Sequence, residues 1–388
     1  MYNFEFQVDT KVLFGKGQIE NLGKEIANYT NKVLLVYGGG SIKKNGIYDS
    51  VIKQLETNGI EYFELYNVDP NPRIESVREG ARLCKENAIN GVLAVGGGSS
   101  IDCSKVISAG ALYDGDPWDL VLDASLVKKS IPVFTVLTLA ATGSEMNGNA
   151  VISNMSTNEK LGTRGKCLIP KISVLDPTYT FSVPKKHTAA GTADILSHTF
   201  ENYFTNIEGG YLQARMAEAI LKTCFHYGPI ACKTPDNYEA RANLMWASSW
   251  AINGLISKGS ANNWSVHAME HELSAFYDVT HGEGLAVLTP HWMRYVLNEN
   301  NVEKFVEYGV NVWGIDSYKD KFDIANEAID KTQEFFIKEL NIPANLRELG
   351  IGTENFDKMA QKAVKGKSIR GFVELKADDV KKIYERAL

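Results

Sequence analysis

Two stretches of this chain, LLVYGGGS (34–41) and LAVGGGSS (93–100), have the same construction. A short apolar, β-rich run ends in three glycines and a serine. Glycines at the carboxyl end of a strand let backbone N–H groups approach a phosphate, and a helix opening there adds a favourable field. Working outward, KVLLVY (32–37), EYFELY (61–66), GVLAVG (91–96), IPVFTVL (131–137) and KISVLD (171–176) alternate with amphipathic stretches. That is the pattern of parallel strands joined by crossover helices. FEFQVDTKVLF (4–14) reads as a hairpin or an edge extension.

Beyond Asp176-Pro177 the β-branched runs stop, and YLQARMAEAILKTCF (211–225) and YEARANLMWASSWAINGL (238–255) carry apolar residues at helical spacing. The expected fold is therefore α/β plus all-α: a Rossmann-like parallel-sheet domain over 1–178 and a helical domain over 179–388. With 388 residues, two cores are the natural partition.

A net charge of −6 with no basic run argues against nucleic acid as a partner. MYNFEFQVDT has no signal-peptide pattern, and no apolar run approaches the ~18 residues needed to cross a bilayer. Five scattered cysteines without CxxC spacing fit a reducing compartment. The expectation is a cytoplasmic protein.

Two glycine loops on consecutive crossover units favour a dinucleotide. Gly38, Gly39, Gly40 and Ser41 form one, and Gly96, Gly97, Gly98 and Ser99 the other. Neither is GxGxxG or a P-loop. TLAATGSE (138–145) is a third candidate, presenting Thr138, Thr142, Gly143 and Ser144, although a helix cap reads the same way.

Three of the seven histidines fall within VHAMEHELSAFYDVTHGEG (266–284). Asp194 and His198 are four apart in GTADILSHTFE, as are His267 and His271, so each pair shares a helix face; His281 opens HGEG. Imidazole with carboxylate is the donor set of a divalent metal site. A rival reading is open here: His267-Ala-Met-Glu270-His271 matches HxxEH, the inverzincin protease pattern, with Glu270 activating water. It leaves the glycine loops, Asp194 and His198 without a role.

GGGSSIDCSK (96–105), TGSEMNGNAV (142–151), GTADILSHTFENYF (191–204) and HAMEHELSAFYDVTHGEGLAVLTP (267–290) together resemble the iron-containing, or group III, alcohol dehydrogenase family, in its butanol dehydrogenase-like, aldehyde-reducing branch. The resemblance implies the dehydroquinate synthase-like fold, with metal and substrate in a cleft between the domains. It puts the metal ligands, for Fe2+ or Zn2+, on Asp194, His198, His267 and His281, and makes His271 the catalytic histidine near the nicotinamide. It adds cofactor contacts at Gly96 to Ser99, Asp102, Thr138, Thr142, Ser144, Asn147 and Lys160, and it implies a homodimer.

The first loop lacks the acid that NAD-preferring relatives tend to carry, so NADP(H) is expected, with NAD(H) possible. The expected activity is hydride transfer between NAD(P)H and short-chain aldehydes or alcohols such as butanal and butanol. Its enzymatic competitor is a dehydroquinate synthase-like, NAD- and metal-dependent cyclase. Such a phosphorylated acid needs basic side chains, yet Ser260 to His291 contains no Lys or Arg, while Trp264, Met269 and Phe276 are available to line an apolar pocket.

Overall fold

Apolar runs buried on both faces dictate the sheet. In the computed structural model, which describes residues 1–261 and 264–388, six strands are parallel: β1 (Lys11–Phe14), β2 (Lys32–Tyr37), β3 (Glu61–Leu65), β4 (Val92–Gly96), β5 (Val133–Leu137) and a later one, Ile172–Leu175. Every residue of β4 and β5 is buried, as in a sheet covered on both sides. Between β5 and the last strand lies an antiparallel pair, β6 (Asn149–Asn154) and β7 (Glu159–Arg164), which makes Ile172–Leu175 β8. The sheet order is β1-β8-β5-β4-β2-β3.

Side chains alternate along β2. Val33, Leu35 and Tyr37 pack with α1 (Leu22–Ala27), the short α2 (Ser41–Lys44) and α3 (Ile47–Thr57), whose Leu22, Ile26, Ile42, Ile47, Val51 and Leu55 complete that core. Leu34 and Val36 point oppositely, to Ile74 and Val77 of α4 (Ile74–Glu86) and Val106 and Ile107 of α5 (Gly98–Gly110). A further helix, α6 (Pro117–Leu122), adds Trp118 and Val121 to the same core.

FEFQVDTKVLF forms no hairpin. Only Lys11–Phe14 is a strand, an edge strand parallel to β8. The β6–β7 pair escaped the sequence reading because NAVISN is half polar and EKLGTR mostly polar, and its turn contains Asn158 at φ 49°.

Beyond β8 the elements are helices: α7 (Lys185–Tyr203), α8 (Tyr211–Lys233), α9 (Tyr238–Ile252), α10 (Ser265–Tyr277), α11 (His281–Val296), α12 (Val302–Trp313), α13 (Lys321–Glu334), α14 (Phe356–Ala363) and α15 (Ala377–Arg386). The chain forms two compact units. The sheet unit comprises Gln7–Val183 with Pro235–Ser249, and the helical unit comprises Met1–Phe6, Pro184–Thr234 and Trp250–Leu388. Each takes chain from both sides of residue 178.

Within the helical unit α7 is the centre, buried from Thr188 to Tyr203. Glycine lets its neighbours come close. A Cβ on Gly282 of α11 would stand 2.0 Å from the Ala190 carbonyl oxygen, and one on Gly228 of α8 would stand 2.7 Å from Thr192 Cγ2. These contacts bring the start of α11 against the middle of α7.

Candidate metal and dinucleotide sites

On α7, Asp194, His198 and Glu201 follow at i, i+4 and i+7, so all three lie on one face. Against that face come His267 from α10 and His281 from the first residue of α11. Around Asp194 Oδ1 stand His198 Nδ1 at 3.6 Å, His281 Nε2 at 3.7 Å and His267 Nε2 at 3.9 Å. Ligands on a tetrahedral ion with bonds of about 2.0–2.2 Å sit roughly 3.3–3.6 Å apart. The three nitrogens lie close to that spacing from Asp194, and the donor atoms of Asp194, His267 and His281 all lie within 4.8 Å of one another, whereas His198, an expected ligand, approaches Asp194 but stands outside that set.

Its polar atoms are also unsatisfied. Asp194 Oδ1, His198 Nδ1 and His267 Nε2 are buried and accept or donate no hydrogen bond. Each such group costs about 1–3 kcal/mol, and one divalent cation would satisfy all three. The residues present therefore fit a metal.

Two carboxylates stand behind the imidazoles: Glu201, which the sequence reading missed, and Glu270, which it placed only in the rival protease motif. Glu201 accepts from His267 Nδ1 and from the backbone N–H groups of Val266 at 2.6 Å and His267 at 3.3 Å. Glu270 accepts from His281 Nδ1 and from the Ser274 hydroxyl. Each carboxylate leaves Nε2 of its histidine facing Asp194, the tautomer a cation needs.

Burial, only partly offset by Asp194, pulls the His198 pKa down to about 3, so this ring is neutral. Burial also opposes charging of His267, but Glu201 and Asp194 outweigh it and raise its pKa.

His271 stands beside the cluster, its ring centre 6.2 Å from that of His267 and 5.7 Å from that of His281. Asp194, His267 and His281 form one set of convergent donors, and Glu270, His271 and His281 form another. Among the described residues no such set joins His267 with His271, and Glu270 is engaged with His281. The HxxEH arrangement is not assembled.

Of the three apolar residues expected near the metal, Trp264 packs edge-on to His267 at 5.2 Å and His198 at 6.0 Å. Met269 is wholly buried. Phe276 lies instead under the ammonium groups of Lys358 and Lys362, 5.3 Å from each, because its side of α10 faces α14.

In the sheet unit, β5, β4 and β2 are adjacent, so the loops after them form one continuous edge. Gly38, Gly39, Gly40 and Ser41 follow β2, Gly96 to Ser99 follow β4, and Thr138 and Thr142 follow β5. Close backbone approach explains two of the glycines: a Cβ on Gly98 would meet Thr142 Cγ2 at 2.4 Å, and Gly40 has φ 85°. Lys160 is buried on β7, opposite Ser153.

Asp102, Ser144 and Asn147 join a buried polar network that the sequence reading did not foresee. At its centre the fully buried Lys105 donates to Ser144 Oγ at 2.7 Å, Asn147 Oδ1 at 3.2 Å and the Asn149 carbonyl at 2.7 Å. Ser144 donates to Asp102 Oδ1 at 2.6 Å, and Asp102 Oδ2 accepts from Val151 N at 2.8 Å. Burial lowers the Lys105 pKa to about 8, against the pull of Asp102 and Glu145.

The network ties α5 to the 142–149 loop. Lys105→Met keeps much of the volume but strands these acceptors, so it should destabilise the protein by about 2–5 kcal/mol. Urea unfolding of the two proteins measures this; an unchanged midpoint would show that the network adds nothing.

Comparisons with known proteins show the family. Residues 9–177 match the model of the iron-containing alcohol dehydrogenase family, and residues 188–388 match that of its C-terminal region. A protein of Clostridium acetobutylicum named NADH-dependent butanol dehydrogenase B is 56% identical, with all of both chains covered. The Escherichia coli protein named NADPH-dependent aldehyde reductase YqhD is 38% identical over 93% of each chain. A crystal structure from Thermotoga maritima, described as NADH-dependent butanol dehydrogenase A, superposes with a TM-score of 0.95 at 39% identity, covering 100% of this chain and 99% of that one. The chain belongs to the iron-containing alcohol dehydrogenase family, as an oxidoreductase of the alcohol/aldehyde type.

Proposed function

We propose that the protein interconverts short-chain primary aldehydes and alcohols, of the butanal and butanol kind, with a nicotinamide dinucleotide and one divalent metal, Fe2+ or Zn2+. The single observation that carries this reading is the convergence of Asp194, His267 and His281, with the buried atoms Asp194 Oδ1, His267 Nε2 and the nearby His198 Nδ1 all lacking a hydrogen bond. Bound there, a metal supplies Lewis acidity to the substrate oxygen while the dinucleotide carries the hydride.

The chain's own residues do the rest. Asp194, His198, His267 and His281 hold the ion, and Glu201 and Glu270 orient two of its imidazoles. Trp264 keeps water from one side of the cluster. His271 delivers to the product oxygen the proton that aldehyde reduction consumes, and takes it back in oxidation. The helical part, 179–388, is thus the metal and catalytic region, and 1–178 the dinucleotide-binding region. The cyclase and protease readings have no comparable support, since the relatives are named as alcohol or aldehyde oxidoreductases.

Reconstitution of metal-stripped protein with Fe2+ or Zn2+, followed by NAD(P)H oxidation with butanal, tests this reading. Phosphate release without net cofactor oxidation would contradict it.

For the cofactor we propose NADP(H), on the ground that no acid occupies 38–41 and that Lys43 and Lys44 follow in α2. A second reading, NAD(H), is favoured by the names of two relatives at 56% and 57% identity. Gly39 has open space around it and no positive φ, so an aspartate fits without strain. Gly39→Asp should raise the dissociation constant for NADPH at least about tenfold more than that for NADH, an effect near 1.4 kcal/mol. Fluorescence titration of both cofactors checks it, and wild-type protein binding NADH more tightly would establish the second reading.

A homodimer and a cytoplasmic location are also proposed. The N-terminal segment is anchored by Tyr2 N donating to the Gly259 carbonyl at 2.8 Å, yet Tyr2, Phe4, Tyr211 and Leu212 are exposed, which suits a second copy. None of the five cysteines is in a disulfide.

A further inference from the structure

His281 is the most loosely held of the four candidate ligands. It is the first residue of α11, it follows Asp278 at φ 51° and a Thr280 cap that makes no side-chain capping bond, and its side chain is 24% exposed, against 9% or less for Asp194, His198 and His267. Glu270 on α10, 0% exposed, restrains it.

One oxygen of Glu270 accepts from His281 Nδ1, and the other accepts from Ser274 Oγ one turn further along the same helix. Gly284 closes the space behind, since a Cβ there would lie 2.9 Å from Glu270 Cγ. The ring of His271 belongs to the same set of neighbouring donors, with Glu270 and His281. Without an acceptor fixed at Glu270, His281 could turn its Nδ1 toward His271 and away from Asp194.

We infer that Glu270 is a positioning residue that fixes the tautomer and the ring direction of His281, so that Nε2 of His281 faces Asp194 and joins the metal-binding set. The inference rests on the metal reading above and extends it. Glu201 has a different character: its carboxylate also caps the backbone N–H groups of Val266 and His267, so it supports the start of α10 as well as a ring. The bonds of Glu270 to His281 Nδ1 and Ser274 Oγ hold a ring and a hydroxyl, and its effect should appear in metal affinity before stability.

The test uses the full chain and Co2+ as the probe, read by chelator competition for affinity and by the visible ligand-field band for ligand geometry. Glu270→Gln keeps an amide oxygen that can accept from Nδ1, and Glu270→Ala removes the acceptor. Loss of an outer-shell partner of this kind weakens metal binding roughly 10–100-fold. The expected order of Co2+ affinity is wild type, then Glu270→Gln, then Glu270→Ala, with the visible band shifted in the alanine variant.

Gly284→Ala is the second variant. It retains the Glu270 carboxylate but shifts it, and it should also weaken Co2+ binding. Wild-type affinity and an unchanged band in all three variants would overturn the inference. Wild-type protein that binds Co2+ no better than Asp194→Ala would instead overturn the metal reading beneath it.

Discussion

Asp194→Ala should lose metal and turnover together. The carboxylate is the only anionic member of the four-residue set, it is nearly inaccessible to solvent, and its Oδ1 is the atom around which three imidazole nitrogens gather at 3.6–3.9 Å. Lewis-acid stabilisation of a developing alkoxide is worth several kcal/mol, so its loss lowers kcat on the order of 10³-fold. Metal analysis after dialysis should show little retained ion. Because removal of Asp194 also relieves an unpaired buried oxygen, the metal-free variant should be no less stable than metal-free wild type. Full metal content with full activity in the variant would mean that the ion binds elsewhere.

His271→Ala should separate the two properties. His271 is outside the set formed by Asp194, His267 and His281, although only one helical turn from His267. The variant should keep its metal while kcat falls about 10²–10⁴-fold, the range for loss of a general acid or base. The pH dependence of kcat should change shape with it. A His271→Ala protein without metal would place that residue in the ligand set and revive the HxxEH reading.

The sheet was legible because its central strands are buried on both faces and so are written as unbroken apolar runs; VLAVG and VFTVL admit little else. The β6–β7 pair was not, since half of β6 and most of β7 are polar and neither makes an unbroken apolar run. Edge strand β1 was half legible: KVLF has strand character, but pairing with β8 is a contact across some 160 residues that no local pattern announces.

The histidine pairs were readable from four-residue spacing, but their meeting was not. It depends on Gly282 and Gly228 letting helices close on α7. Glu201 could have been found, because it continues the Asp194 and His198 face by three residues. Glu270 was visible as a motif and misassigned in the protease alternative, since a regular expression cannot say which ring a carboxylate will meet. Lys105 carried a signal of its own, the lone cation of SSIDCSKVISAG, and burial of that segment apart from Ser99 and Asp102 is what turns it into the centre of a network.

A metal held by Asp194, His198, His267 and His281 is proposed to activate the carbonyl of a short aldehyde for reduction. The most direct measurement is the rate of NAD(P)H oxidation with butanal as metal-stripped wild-type protein is titrated with Fe2+ or Zn2+, with bound metal determined in the same samples. The expected rate rises from near zero in proportion to bound metal and stays near zero throughout the same titration of Asp194→Ala. Metal-stripped protein that reduces butanal at the full rate would contradict it.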